Sequence, residues 1–152
     1  MKPLRVLFLC TGNSARSQMA EALLRQISRG RIAVFSAGTE PRASIHPIAE
    51  AVLSEKFGID TSGLHPKHVD QFRAEQFDYV FTVCDRAAET CPVFPGDPDR
   101  IHWGFADPAA VAPGPGQRIA FERVANELTA RMRIWMALAS VRARVEASAN
   151  DQ

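Results

Sequence analysis

The chain of 152 residues has few cysteines, almost no net charge and no long apolar run, and each shortage excludes something. Its three cysteines, Cys10, Cys84 and Cys91, are too few and odd in number for a purely structural disulfide framework. No two of them are spaced as Cys-x2-Cys, so a zinc site lacks its usual close ligand pair. His46, His65, His68 and His102 show no metal-ligand spacing either, and none has an evident catalytic partner. A formal charge of +1 leaves no basic stripe for nucleic acid and no acidic tail. No segment is long and apolar enough to cross a bilayer, and the first apolar segment is too short for a signal peptide. There is no internal repeat, low-complexity tract or second domain. The expectation is one domain over 1–152, frayed from 147, acting as a monomer in the cytoplasm without nucleic acid, membrane or metal. In that compartment disulfides are usually transient and catalytic.

What is present alternates between strand and helix patterns. Leu4 to Leu9 is an apolar run broken only by Arg5, as in a strand covered on both faces. Met19, Ala22, Leu23 and Ile27 recur at helical spacing until Arg29-Gly30 stops them. Ile32–Phe35 reads as a strand closed by Ser36-Ala37-Gly38, Pro47–Phe57 as a helix stopped by Gly58, Phe77–Val83 and Arg100–Phe105 as strands. After the Pro113–Gly116 loop, one long helix is expected from Gln117 to Val145. Its buried stripe would be Phe121, Val124, Leu128, Met132, Trp135, Met136 and Ala139. Trp103 and Trp135 are expected to pack. This order, with no strong hairpin signal, implies an α/β single-domain three-layer fold: a four-stranded parallel sheet flanked by helices.

In such a sheet ligands bind at the carboxyl ends of the strands. Cys10, Ser36 and Cys84 each end a strand, and Asp107 follows the fourth, so four polar groups share one rim. Between Cys10 and the first helix lie Thr11, Gly12, Asn13, Ser14, Ala15, Arg16 and Ser17. Backbone N–H groups entering a helix have no intrahelical partner and can converge on an anion. Gly12 and Asn13 suit the positive φ of a tight cradle, Arg16 offers a two-pronged fork to an oxyanion, and Ser17 a hydroxyl to the sulfur. The same N–H groups should favour thiolate at Cys10; a lowering of about two pKa units corresponds to about 2.7 kcal/mol. Taken alone, Cys-x5-Arg favours a cysteine that merely packs with an unrelated arginine nearby, because such pairs arise often by chance. The strand before it and the helix after it decide for the oxyanion loop, and no Lys-Ser/Thr follows to make a nucleotide P-loop. Two further thiols suggest chemistry that ends in electron transfer rather than hydrolysis. Core packing or half of a metal site are the alternatives for them, as turn-making is for Asp107.

Val6–Ser17 resembles the signature of the low-molecular-weight protein tyrosine phosphatases, and the likeness extends over nearly the whole chain. Within that superfamily the chain is most similar to the thioredoxin-coupled arsenate reductases. The shared features are Cys10–Arg16, Thr82-Val-Cys-Asp85, Cys84-x6-Cys91-Pro92 and His102-Trp-Gly-Phe-Ala-Asp-Pro108. Phosphatases usually place an aromatic residue after the Asp-Pro; here Ala109-Ala110 follow. The resemblance implies that Cys10 attacks arsenate, with phosphate or sulfate as analogues, and that Asp107 protonates the departing oxygen. Cys84 would then displace arsenite, and Cys91 would take over the Cys10–Cys84 disulfide, leaving Cys84–Cys91 for thioredoxin, with no tightly bound cofactor. If 85–90 is helical, about 1.5 Å per residue separates those two Cα atoms by roughly 10 Å, beyond the ~7 Å a disulfide tolerates, so the segment must unwind. Some of these reductases hold potassium beside the loop with an asparagine, a glutamate, a serine and an aspartate. Asn13, Glu21 and Ser36 match the first three, and Lys67 stands where the aspartate is expected: either a replacement for the cation or a solvated lysine. The other readings are a phosphatase whose extra thiols protect Cys10, and an oxyanion-binding redox sensor, for which an acid at Asp107 would have no purpose.

Overall fold

The computed structural model describes residues 2–150. Four strands, β1 (Arg5–Cys10), β2 (Ala33–Gly38), β3 (Tyr79–Thr82) and β4 (Asp99–His102), form a sheet in the order β2-β1-β3-β4. Every pairing is parallel. Five helices accompany them: α1 (Arg16–Ile27), α2 (Pro47–Phe57), α3 (Asp85–Glu89), α4 (Pro115–Met136) and α5 (Ala139–Asn150). Short 3-10 turns cover Val69–Phe72 and Pro108–Ala110. Central β1 is sealed on both faces, which its unbroken Val6-Leu-Phe-Leu9 run requires.

Alternation along the strands sends Phe8 and Phe81 to one face and Leu7, Phe35 and Val80 to the other. On the first face Phe8 stacks on Phe81 at 5.1 Å, and Trp103 and Trp135 close on Phe81 at 4.3 and 5.3 Å. On the second, Phe35, Phe72 and Phe77 meet with centroids 5.7–6.0 Å apart. Each aromatic or aliphatic side chain buried this way contributes roughly 1.5–3 kcal/mol, enough to hold the strand ends rigid. Cys10 pairs with Gly38, Leu9 with Thr82 and Thr82 with His102, so all four strands finish at a common rim.

α2 has the expected limits because its stop signals are chemical: Pro47 opens it, the His46 ring accepts the Ile48 N–H, and Gly58 ends it at φ 67°. The expected single helix over 117–145 is instead α4 and α5. The Leu138 N–H bonds to Trp135 O at 3.1 Å and the Ala137 N–H to Ile134 O, tightening the last turn, and α5 restarts with Arg142 N–H to Leu138 O. Ala139 is consequently exposed and leaves the stripe, which α5 renews with Val141, Val145 and Ser148. Of the tail expected to fray, 147–150 continue α5, while 151–152 lie outside the described residues. No described helix is long and apolar enough to cross a membrane.

Candidate active site

The loop from Cys10 to Arg16 closes on the end of β1, and its shape depends on two small contacts. Asn13 takes a φ of 47°, the left-handed region that asparagine tolerates. Gly38 lets the loop approach: a Cβ there would meet Thr11 O at 2.5 Å and Asn13 Cβ at 3.0 Å. Gly12, expected at positive φ, does not adopt it; its missing side chain instead makes room for Arg42, whose Nε would lie 3.2 Å from an added Cβ.

Asn13 is the hub of a buried chain of hydrogen bonds. Its Oδ1 accepts the Lys67 N–H at 2.8 Å, and since a backbone N–H can only donate, the amide orientation is fixed. Nδ2 therefore donates to Ser17 Oγ at 2.7 Å and Ser36 Oγ at 3.0 Å. The Ser36 hydroxyl in turn donates a hydrogen bond to Glu21 Oε1 at 2.8 Å. Ser17 Oγ lies in hydrogen-bond contact with Cys10 Sγ at 2.8 Å, and the Asn13 N–H donates to that sulfur at 3.1 Å. Buried Glu21 is faced by Arg25 at 3.1 Å and by the Lys67 ammonium at 3.6 Å, which also donates to His65 O at 2.8 Å. Lys67 is thus no solvated lysine: its side chain is only 13% exposed. Burial pulls its pKa down, and the Glu21 charge pulls it back.

Cys10 is 3% exposed. Desolvation pushes its thiol pKa up, and the Ser17 and Asn13 hydrogen bonds only oppose this, aided on the raising side by the Cys84 thiol. The direction is opposite to the lowering expected from the loop's N–H groups, because loss of water outweighs the donors. Cys91 is raised by burial as well, with Arg100 opposing.

Of the four expected rim groups, Cys10 and Asp107 line one cleft and Cys84 lies beside its loop, while Ser36 sits within β2 opposite Phe8 and reaches the loop through Asn13. Arg16 donates to Phe105 O at 2.9 Å and stands 3.7 Å from Asp107 Oδ2. Asp107 also accepts the Ala109 N–H, so it both shapes a turn and faces the cleft. The cleft, about 430 Å³, is lined by loop 10–16 with Glu40, Arg42, Arg86, Asp107 and Ala109. Cys84, at the start of α3, places Sγ 3.4 Å from Thr11 Oγ1, beside the loop. Cys91 lies past α3, half-buried, with Sγ 3.6 Å from Pro92 O. All three thiols are free. Among the described residues no group of three or more His, Cys, Asp or Glu could hold a metal ion.

Residues 5–147 match the family described as low molecular weight phosphotyrosine protein phosphatase. The chain belongs to that family. An arsenate reductase of Halalkalibacterium halodurans is 39% identical over 129 residues, 84% of this chain and 91% of that protein. The solved thioredoxin-dependent arsenate reductase of Corynebacterium glutamicum superposes with a TM-score of 0.66 at 32% identity, covering 89% of this chain. The chain spans only 62% of that longer protein. A solved arsenate reductase in the phosphate binding state gives 0.70 at 31% identity, covering 88% of this chain and 97% of that one. As a low molecular weight phosphatase fold, the chain carries its loop where the family's sheet ends. Gln18, Glu40, Arg42 and Arg86 escaped the sequence reading. Gln18 had a signal, a polar residue beside Met19 and Ala20 on an inward helix face; its amide donates to Asn13 O and His65 O. The other three belong to no motif.

Proposed function

We propose that this chain reduces arsenate to arsenite through Cys10, Cys84 and Cys91, with thioredoxin as the external dithiol. The observation that carries the reading is Cys84 beside Thr11: a second thiol within reach of the oxyanion loop is what reduction needs and hydrolysis does not. Arsenate enters the loop on the backbone N–H groups of Thr11 to Ser17 and the Arg16 guanidinium. Cys10 thiolate attacks arsenic, a sulfur–arsenic bond forms, and an oxygen leaves as water with a proton from Asp107. Cys84 thiolate next attacks Cys10 Sγ. The sulfur–arsenic bond breaks with its electron pair on arsenic, arsenite departs, and a Cys10–Cys84 disulfide holds the oxidation. Cys91 attacks Cys84, Cys10 leaves as thiolate, and thioredoxin reduces Cys84–Cys91.

Lys67 supplies the positive charge beside Glu21, and with an ammonium already at that carboxylate the residues do not fit a potassium ion. Exchanging potassium for sodium at constant ionic strength should therefore leave the melting temperature and turnover unchanged. The relay needs reduced thiols between turnovers, which suits work in the cytoplasm.

The deciding assay combines arsenate, thioredoxin, its reductase and a nicotinamide reductant. Arsenate-dependent consumption of the reductant should occur in wild type and stop in Cys91→Ser after a single arsenite per chain. Phosphate release from an aryl ester without any arsenate turnover would instead establish the hydrolytic reading, which the family description favours.

A further inference from the structure

The relay reading, on which this inference rests, obliges α3 to open before Cys91 can reach Cys84. α3 is only five residues long, and its ends are tied by Ala88 N–H to Cys84 O and Thr90 N–H to Arg86 O, both 3.2 Å, and by Thr90 Oγ to Arg86 O at 2.9 Å. A five-residue helix is unstable without outside support. Two side chains from elsewhere in the fold grip its first turn. His102, the last residue of β4, bonds through Nδ1 to Thr82 Oγ1 at 2.8 Å and through Nε2 to Asp85 Oδ1 at 2.9 Å. A carboxylate acceptor places a ring proton on Nε2, and the Nδ1–Thr82 Oγ1 bond orients the ring from β3. Gly104 keeps the contact open, since a Cβ there would lie 3.2 Å from His102 Nε2 and 3.7 Å from Asp85 Oδ1. On the other side Glu40 pairs with Arg86 at 3.0 Å, and the Glu40 N–H donates to Thr11 O at 2.9 Å.

We propose that His102 and Glu40 are positioning residues of the relay, tethering α3 to β3 and to the oxyanion loop so as to set the balance between Cys84–Cys91 dithiol and disulfide. While both tethers hold, Cys84 stays beside Thr11, aimed for its attack on Cys10. When Cys91 thiolate attacks Cys84, the new sulfur–sulfur bond forms as Cys10 leaves with its electron pair, without net oxidation, and both tethers part. The tethers therefore stabilise the dithiol form alone, and cutting one makes the disulfide harder to reduce.

The test measures the Cys84–Cys91 dithiol–disulfide midpoint in the full chain carrying Cys10→Ser, equilibrated in glutathione buffers and read by alkylation and mass spectrometry. Asp85→Ala and His102→Ala should each favour the disulfide about fivefold, the upper range for partly exposed pairs, which is about 20 mV more negative. The double variant should shift no further than either single one, because one contact is being removed twice. His102→Gln, which can still bridge Thr82 and Asp85, should return toward the parent. Glu40→Gln, at an exposed position that tolerates change, should shift about twofold, or about 10 mV. Identical midpoints in all variants, or equal shifts for His102→Gln and His102→Ala, overturn the tethers. A parent that never forms the Cys84–Cys91 bond overturns the relay reading itself.

Discussion

The oxyanion loop and the α3 segment sit side by side at the same rim, yet they are held by different physics. The heart of the loop is buried, and its polar side chains are joined: Cys10, Ser17, Asn13, Ser36 and Glu21 form one hydrogen-bonded network that branches at the Asn13 amide. Breaking any link strands a buried partner, at about 1–3 kcal/mol per orphaned group. α3 hangs instead on contacts in water, with Arg86 and Glu40 more than 60% exposed and Asp85 91% exposed. Such pairs are worth about 0.2–1 kcal/mol each. The proposed relay asks for this contrast. One thiol has to be presented at a fixed point to a tetrahedral ion, and another has to change partners.

The comparison breaks most sharply at Arg16. Arg16→Lys keeps the charge but loses the two-pronged fork, and kcat/KM for arsenate should fall about 10²–10³-fold while melting changes little. A fall of less than tenfold would mean the loop's N–H groups bind the ion without it. Next in size is Asn13→Ala. It leaves the Lys67 N–H without its acceptor and takes a donor from Ser17 and Ser36, and should cost about 2 kcal/mol in urea unfolding, one orphaned donor at its midrange. Destabilisation under 1 kcal/mol would show that the hub is dispensable.

A smaller effect follows from Cys10 being pushed up by burial. The folded chain keeps a proton that the unfolded chain releases above about pH 8.5, the ordinary thiol value. The thiol's contribution to stability is therefore complete below that pH and is lost as pH rises through the higher folded value. Wild type should lose more stability than Cys10→Ser across that window, and alkylation of Cys10 in a chain carrying Cys84→Ser and Cys91→Ser should quicken with pH. A rate flat from neutral pH upward would mean that Cys10 is already ionised.

What could be read from the chain, and what could not, divides along the same line. The four strands and α2 were legible because Pro47, Gly58 and the apolar runs act locally, so Cys10 and Cys84 could be placed on one rim. The strand limits were not, since β2 runs through Ser36 to Gly38 and β4 stops at His102 instead of Phe105. The break between α4 and α5 left no such mark: Ala137 and Leu138 are good helix formers, and the turn there is set by how Trp135 and Val141 each reach the core. The direction of the Cys10 shift was misread for a related reason. A sequence displays the donors around a sulfur, but the depth of burial that outweighs them emerges only when β1, β2 and α1 close over it. Arg42 and Arg86 come from loops and a short helix whose approach no periodicity announces.

The smallest expected effect tests the contrast most directly. Ala88 is exposed on α3, and its N–H donates to Cys84 O. Ala88→Gly keeps that bond and removes no buried surface, so it acts through backbone entropy alone, about 0.8–1.0 kcal/mol in a helix interior. If α3 opens as a unit of its own, amides of 85–91 should exchange roughly fivefold faster, that energy expressed as a ratio, while Asn13 and Lys67 amides stay as slow as before. Faster exchange at Asn13 would mean that loop and segment open together. Cys84 could then not change partners without loosening the cradle that holds the ion, and the division between fixed and movable thiol would fail.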